Sequence, residues 1–212
     1  MNRHSHEGRS PAPPIKPRYG RLALRTLICL AVYHAVSCLI YRLLFYKLEA
    51  QMIIDGTTKG LAWVLFIYAA ATLTVLALIT VLLYYRNETR MRAYVYETSV
   101  DRFGRRGARA ARKRHTVFAL KEALLTAGLS ALIWLPVTLC LMLAGIRSDM
   151  DWVASVARKL ETLFMGVAGL SRPFGDGLLV WIGYGIGVIW MFGIRFGGSL
   201  LVHRKWDDEY AD

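Results

Sequence analysis

The sequence predicts an all-α membrane protein: a bundle of four transmembrane helices with one amphipathic helix on the extracytoplasmic side. The chain has 212 residues, of which 55% are hydrophobic. Its 27 Lys and Arg and its 15 Asp and Glu are gathered into a few blocks, and the long apolar runs between these blocks are nearly free of charge. Such segregation is typical of polytopic helical membrane proteins.

Four apolar runs are long enough, at about 1.5 Å per residue, to cross a hydrocarbon core of about 30 Å. They place the spans at residues 22–45, 61–85, 117–146 and 178–202. Pro136 predicts a kink within the third span, since proline removes one backbone hydrogen bond. The transmembrane domain therefore covers residues 21–202. A proline-rich basic tail at 1–20 is expected to be disordered, and a tail at 203–212 ends acidic.

The orientation follows from the connector at residues 86–116, which holds ten Lys or Arg against Glu88, Glu97 and Asp101. The loops at 47–59 and 147–176 carry equal numbers of bases and acids. Because cytoplasmic loops are enriched in Lys and Arg, both termini and this connector are expected to be cytoplasmic. The lack of a recognisable signal peptide and of paired cysteines favours a bacterial plasma membrane.

The basic connector is expected to contact anionic lipid headgroups. Nucleic acid is an unfavoured partner, because no aromatic residues are interleaved with the charges of residues 105–114 and topology already explains those charges. We expect a helix, a break at Gly104 to Gly107 and a second helix that leads into the third span. The predicted lipid contacts are Arg105, Arg106, Arg109, Arg112, Lys113 and Arg114.

An amphipathic helix is predicted at about 149–167. Apolar residues recur there with helical periodicity, from Trp152 to Val167, while Arg158, Lys159 and Glu161 fall on the other side. The segment is too short and too one-sided to span, so it should lie along the membrane surface or dock on a partner.

Four ionisable residues within the spans form a candidate intramembrane polar site: His34, Arg42, Glu122 and Arg195. Glu122 and Arg195 lie at similar depths, and pairing is expected because an isolated charge there is costly. Their function is open between a structural ion pair and a coupling or proton-linked pair. His34 should face Thr72, Thr74, Trp134 or Trp190 by depth, and Arg42 should reach the outer headgroups.

The fourth span is rich in glycine. Gly183 and Gly187, and likewise Gly193 and Gly197, are spaced four residues apart, which lets another helix approach closely. This pattern predicts a membrane-protein partner or self-association through the fourth helix.

No motif for catalysis, cofactor binding or a metal ion is recognised in the sequence. The leading hypothesis is therefore an accessory or assembly protein that acts through helix and lipid contacts. A small oligomeric transporter or channel with a polar path is the alternative, and a lipid-modifying enzyme at the cytoplasmic face is a weaker one.

Overall fold

The computed structural model describes the backbone of residues 19–146, 151–175 and 177–209 and the side chains of residues 19–57, 59–84, 116–146, 152–175 and 177–201. Within these ranges the chain is helical and has no strand. Four of its helical stretches are long and apolar enough to cross a membrane: Tyr19–Ile54, Lys59–Tyr84, Thr116–Ile146 and Gly177–Leu201. The predicted all-α class is confirmed over these ranges, and each of the four predicted spans falls in a helix of sufficient length and apolarity.

The first helical stretch is longer than predicted. Helix α1 covers Tyr19–Ile40, a π-helical turn covers Tyr41–Phe45, and helix α2 covers Tyr46–Ile54 without a break in between. The expected loop from residue 47 is therefore helical over most of its length. Residues 47–54 contain no glycine or proline to stop a helix. The chain turns only after Asp55, where Gly56 has a φ of 66°.

Helix α3 covers Thr58–Ile146 and includes the second span, the basic connector and the third span. A straight helix of 89 residues would be about 130 Å long. Instead, Tyr84 and Glu122 both contact Arg195, so the helical path reverses direction within residues 85–115. The expected break at Gly104 to Gly107 is wrong, since the backbone is helical there. The predicted lipid-contacting side chains of the connector lie outside the described residues.

Helices α4 (Asp151–Leu163) and α5 (Met165–Ser171) replace the single amphipathic helix predicted at 149–167. The two helices meet at Phe164, whose ring centroid lies 5.0 Å from that of His34 in the middle of α1. Arg172, which follows α5, lies beside Tyr41 in the π-helical turn, about 10 Å further along the same helical stretch. Residues 151–171 therefore form a re-entrant hairpin whose tip enters the bundle.

Helix α5 is buried at every position. The periodicity of residues 149–167 shows which face of the segment is apolar, but it does not show what covers that face. In the structure, the chain's own bundle covers much of it. Val153 and Ala157 of α4 are buried, whereas Trp152, Val156 and Leu163 remain exposed.

The last helix, α6, covers Val180–Glu209 and runs back along both membrane-length stretches of α3. Two short 3-10 turns at Arg172–Phe174 and Gly177–Leu179 connect it to α5. Gly175 and Gly177 adopt φ values of 92° and 67° in this connection, which side chains other than glycine rarely adopt. We call the end of the bundle at Tyr84 the basic end and the end at Arg172 the hairpin end.

Candidate functional site

Among the side chains that the structure describes, three groups of polar residues lie inside the bundle: at the basic end, in the middle and at the hairpin end. Two of them contain residues that the sequence singles out. The third was not predicted.

At the basic end, the predicted ion pair between Arg195 and Glu122 is present. Arg195 Nη2 donates to Glu122 Oε2 at 3.1 Å, and the Arg195 side chain is only 4% exposed. Its guanidinium also lies over the ring of Tyr84, 4.0 Å from the centroid. A carboxylate and an aromatic face together compensate for burying this charge.

The Tyr84 hydroxyl is fixed in turn by α1. It lies 2.9 Å from the hydroxyl of Thr26, which donates its own proton to the Leu22 carbonyl oxygen. Tyr84 is therefore the donor in this contact. The group links α1, both membrane-length stretches of α3, and α6.

Replacing Glu122 with glutamine should lower the free energy of unfolding by about 2 kcal/mol, because the buried guanidinium loses the attraction of the Glu122 carboxylate. Thermal unfolding in mild detergent measures this effect. Lys121→Gln is the matched control, since the neighbouring Lys121 side chain is exposed and its loss should change stability by less than about 0.5 kcal/mol. Equal stability of the two variants would contradict a stabilising role for the pair.

In the middle of the bundle, His34 is held by Trp134, one of the four partners expected by depth. Trp134 Nε1 donates to His34 Nε2 at 3.0 Å. Because Nε2 accepts this bond, the neutral imidazole carries its proton on Nδ1. A second proton could enter at Nε2 only after the Trp134 bond is broken. In this arrangement His34 is a packed, neutral side chain.

Helix α5 closes the space around His34. A Cβ on Gly166 would lie 2.9 Å from His34 Nδ1 and would overlap the ring of Tyr33. Gly169 meets the ring of Tyr68 in the same way. The Tyr68 hydroxyl lies within hydrogen-bond distance of carbonyl oxygens from Ser37 and Met165, at 3.1 and 3.3 Å, and so ties α5 to α1.

Arg42 does not join the other three residues of the predicted polar site. The buried row of α1 continues from His34 through Ser37 to Tyr41. Arg42 follows Tyr41 by one residue, about 100° around the helix, and its side chain is exposed. The predicted set of four therefore divides into an ion pair at the basic end, a histidine in the middle, and an arginine on the surface.

The third polar group, at the hairpin end, is centred on Arg172. Its Nη1 donates to Glu49 Oε2 at 2.7 Å and to the Tyr41 hydroxyl at 2.9 Å, and its Nε donates to Glu161 Oε1 at 2.7 Å. The Tyr41 hydroxyl in turn donates to Glu49 at 2.6 Å. We call these four residues the Arg172 cluster.

The electrostatics of the Arg172 cluster favour the charged guanidinium. Burial alone would lower the pKa of Arg172, but Glu161, Glu49 and the Tyr41 hydroxyl outweigh it and hold the pKa above its usual value. A basic group whose pKa rises on folding stabilises the fold at every pH at which it is also charged in the unfolded chain. Arg172 therefore stays charged and fixes the hairpin to the π-helical turn and to α2.

The sequence offered little to identify the Arg172 cluster. Glu49 and Arg172 are separated by more than a hundred residues, and Glu161 falls on the side of α4 that the apolar pattern marks as polar. The available signal was α5 itself: residues 165–171 are uncharged and rich in small residues, which suits a segment that packs closely inside a bundle.

The two predicted glycine pairs of α6 have different surroundings. A Cβ on Gly183 would lie 2.5 Å from Ser171 Cα, and one on Gly187 would lie 2.9 Å from the Trp134 ring. The first pair is thus used inside the chain, by α5 and α3. A Cβ on Gly193 or Gly197 would meet no described atom within 4 Å.

Across the part of the chain that the structure describes, no group of three or more His, Cys, Asp or Glu side chains is placed to hold a metal ion. Comparisons with protein-family models, with curated proteins and with solved structures give no match for this chain.

Proposed function

We propose that this chain is an integral membrane accessory or assembly protein that works through helix and lipid contacts and performs no chemistry of its own. The observation that carries the proposal is the contrast between the two glycine pairs of α6. Gly183 and Gly187 are filled by the chain itself, whereas Gly193 and Gly197 leave room for a further helix. The exposed side chains around Gly193 are apolar, including Ile189 and Leu200.

The polar interior supports the same proposal. The charged side chains in it hold the chain's own helices together, Arg195 with Glu122 and Arg172 with Glu49 and Glu161. A bundle braced in this way suits a protein that presents a fixed surface. We further propose that the bundle lies in a bacterial plasma membrane, with both termini and the arginine-rich connector at the cytoplasmic leaflet, where anionic headgroups attract them.

The test is purification from native membranes in mild detergent, followed by mass spectrometry of whatever is retained. A stoichiometric membrane protein should accompany the unaltered chain and be lost from the double variant Gly193→Leu, Gly197→Leu. Gly185→Leu is the matched control, because Gly185 also has open space around it but lies about 80° from Gly193 around α6. Retention of the partner by the double variant, or its loss from the control, would contradict the proposal.

A small transporter or channel is the second candidate, favoured by a line of buried polar groups along α1. Between the ion pair and His34 lie Cys29 and Thr80, with 3.6 Å between their sulfur and oxygen atoms. Proton or ion flux into liposomes that contain only this chain tests it. Under this second candidate the flux is lost in His34→Leu and kept in Arg42→Gln, whose side chain is exposed. Under the accessory proposal, no flux of protons or ions is expected.

A further inference from the structure

A cleft of about 270 Å³ opens between the end of α3, helix α4 and the start of α6. Its walls are formed mostly by small side chains, among them Ala144, Gly145, Ala154 and Ala168. Because most of the lining residues are small, the cleft has room for a group of about ten non-hydrogen atoms.

Two charged side chains of α4 line this cleft and have hydrogen-bonding atoms that are not in use. Arg158 Nε donates to the Ala154 carbonyl oxygen at 3.3 Å, which leaves both Nη groups available. Glu161 receives Arg172 on Oε1, which leaves Oε2 available. Within the described residues, neither the Nη groups of Arg158 nor Glu161 Oε2 has a hydrogen-bond partner. The spacing i, i+3 puts the two side chains on neighbouring positions, about 5–6 Å apart at Cβ.

The other cation at the cleft is Arg172, which donates through Nε and Nη1 to Glu161, Glu49 and Tyr41. These two carboxylates already balance its charge, and among the described residues its Nη2 has no hydrogen-bond partner. A ligand would therefore meet a guanidinium at Arg158 and, beside it, a carboxylate oxygen at Glu161. These groups suit an anion and a hydrogen-bonding cation carried on one small molecule.

The cleft lies at the depth of the ends of the spans. Its lining includes Leu141 near the end of the third span and Val180 near the start of α6. Close by, Trp181 Nε1 lies 3.1 Å from Met142 Sδ, and tryptophan is enriched at the level of lipid headgroups. A phosphate near this level would reach Arg158 without entering the hydrocarbon.

We propose that this cleft binds an ethanolamine phosphate group, with the phosphate on Arg158 and the primary ammonium on Glu161. The group comes either from a phospholipid of the adjoining leaflet or from a soluble glycerophosphoester. The phospholipid source rests on the membrane location proposed above. Choline headgroups lack the N–H needed by Glu161, and glycerol headgroups lack the cation.

Native mass spectrometry and thermal unfolding of the full chain in nanodiscs test the proposal. The nanodiscs contain phosphatidylcholine alone, or phosphatidylcholine with one fifth of phosphatidylethanolamine or phosphatidylglycerol. Phosphatidylethanolamine should be retained about tenfold more tightly than the other two, since a charge-assisted hydrogen bond has about this effect on a dissociation constant. Arg158→Gln should weaken the retention of all three lipids, because all three carry the phosphate, and Ala154→Leu should remove the preference by filling the cleft.

The matched controls are Lys159→Gln and Ser155→Leu, which change neighbouring residues of α4 that do not line the cleft. Both should keep the preference. Equal retention of all three lipids, or loss of the preference in the controls, overturns the proposal. Soluble glycerophosphoethanolamine distinguishes the two sources: binding as tight as that of the lipid assigns the cleft to a soluble ester, and binding at least tenfold weaker assigns it to a phospholipid. These readouts are independent of the Gly193 and Gly197 variants, so either proposal can fail alone.

Discussion

Replacing Gly183 with alanine is expected to lower the free energy of unfolding by about 3 kcal/mol, although alanine is the better helix former. The added methyl group would meet the Leu170 carbonyl oxygen and Ser171 Cα. Both are backbone atoms, so no side-chain rotation relieves the contact, and α5 has to move. The melting temperature should fall by about 10 °C for a chain of this size.

Gly193→Ala is the matched control for this substitution. It makes the same chemical change in the same helix, but at a position with no described atom within 4 Å. There alanine should be neutral or should stabilise α6 by up to about 1 kcal/mol, which is its helix-propensity advantage over glycine. Thermal unfolding in detergent, followed by size-exclusion chromatography, measures both variants. Similar melting temperatures for the two would contradict the close approach of α5 to α6.

Replacing Arg172 with glutamine is expected to lower the free energy of unfolding by about 3 kcal/mol, because two carboxylates lose their common partner. The side chains of Arg172, Glu49 and Glu161 are 25%, 17% and 23% exposed, so solvent screens them only in part. The loss should appear first in the hairpin, as faster proteolysis between α4 and α6 in detergent.

The triple variant Arg172→Gln, Glu49→Gln, Glu161→Gln separates lost attraction from unpaired charge. If uncompensated carboxylates cause most of the loss, the triple variant should recover at least half of it. Arg172→Lys should recover little, because a single ammonium cannot replace the guanidinium, whose Nε and Nη1 bind two different carboxylates. A triple variant no more stable than Arg172→Gln would show that packing, rather than charge, is what Arg172 supplies.

The spans and the basic-end ion pair were predictable because both depend on local information. A span needs only a long apolar run, and the depths of Glu122 and Arg195 follow from counting residues along two helices. The contact of His34 with Trp134 follows from the same counting, which left four partners to choose from.

The hairpin was not predictable in the same way. Helical periodicity identifies the apolar face of α4, but it does not say whether lipid, a partner or the chain itself covers that face. Likewise, Arg42 and Arg172 both adjoin apolar segments, and only the packing of α1 places the first outside and the second inside. Such contacts between distant segments are set by tertiary structure, to which a single sequence gives little access.

The residues that pack around α5 come from parts of the chain that emerge from the ribosome at different times. Tyr33 and Tyr68 come early, whereas Gly183 follows α5 itself. Until its last span has been synthesised, a nascent chain therefore lacks part of the surface against which α5 packs. The final fold of the hairpin must therefore wait for that span, and until then α5 stays without the surface that covers it in the finished protein.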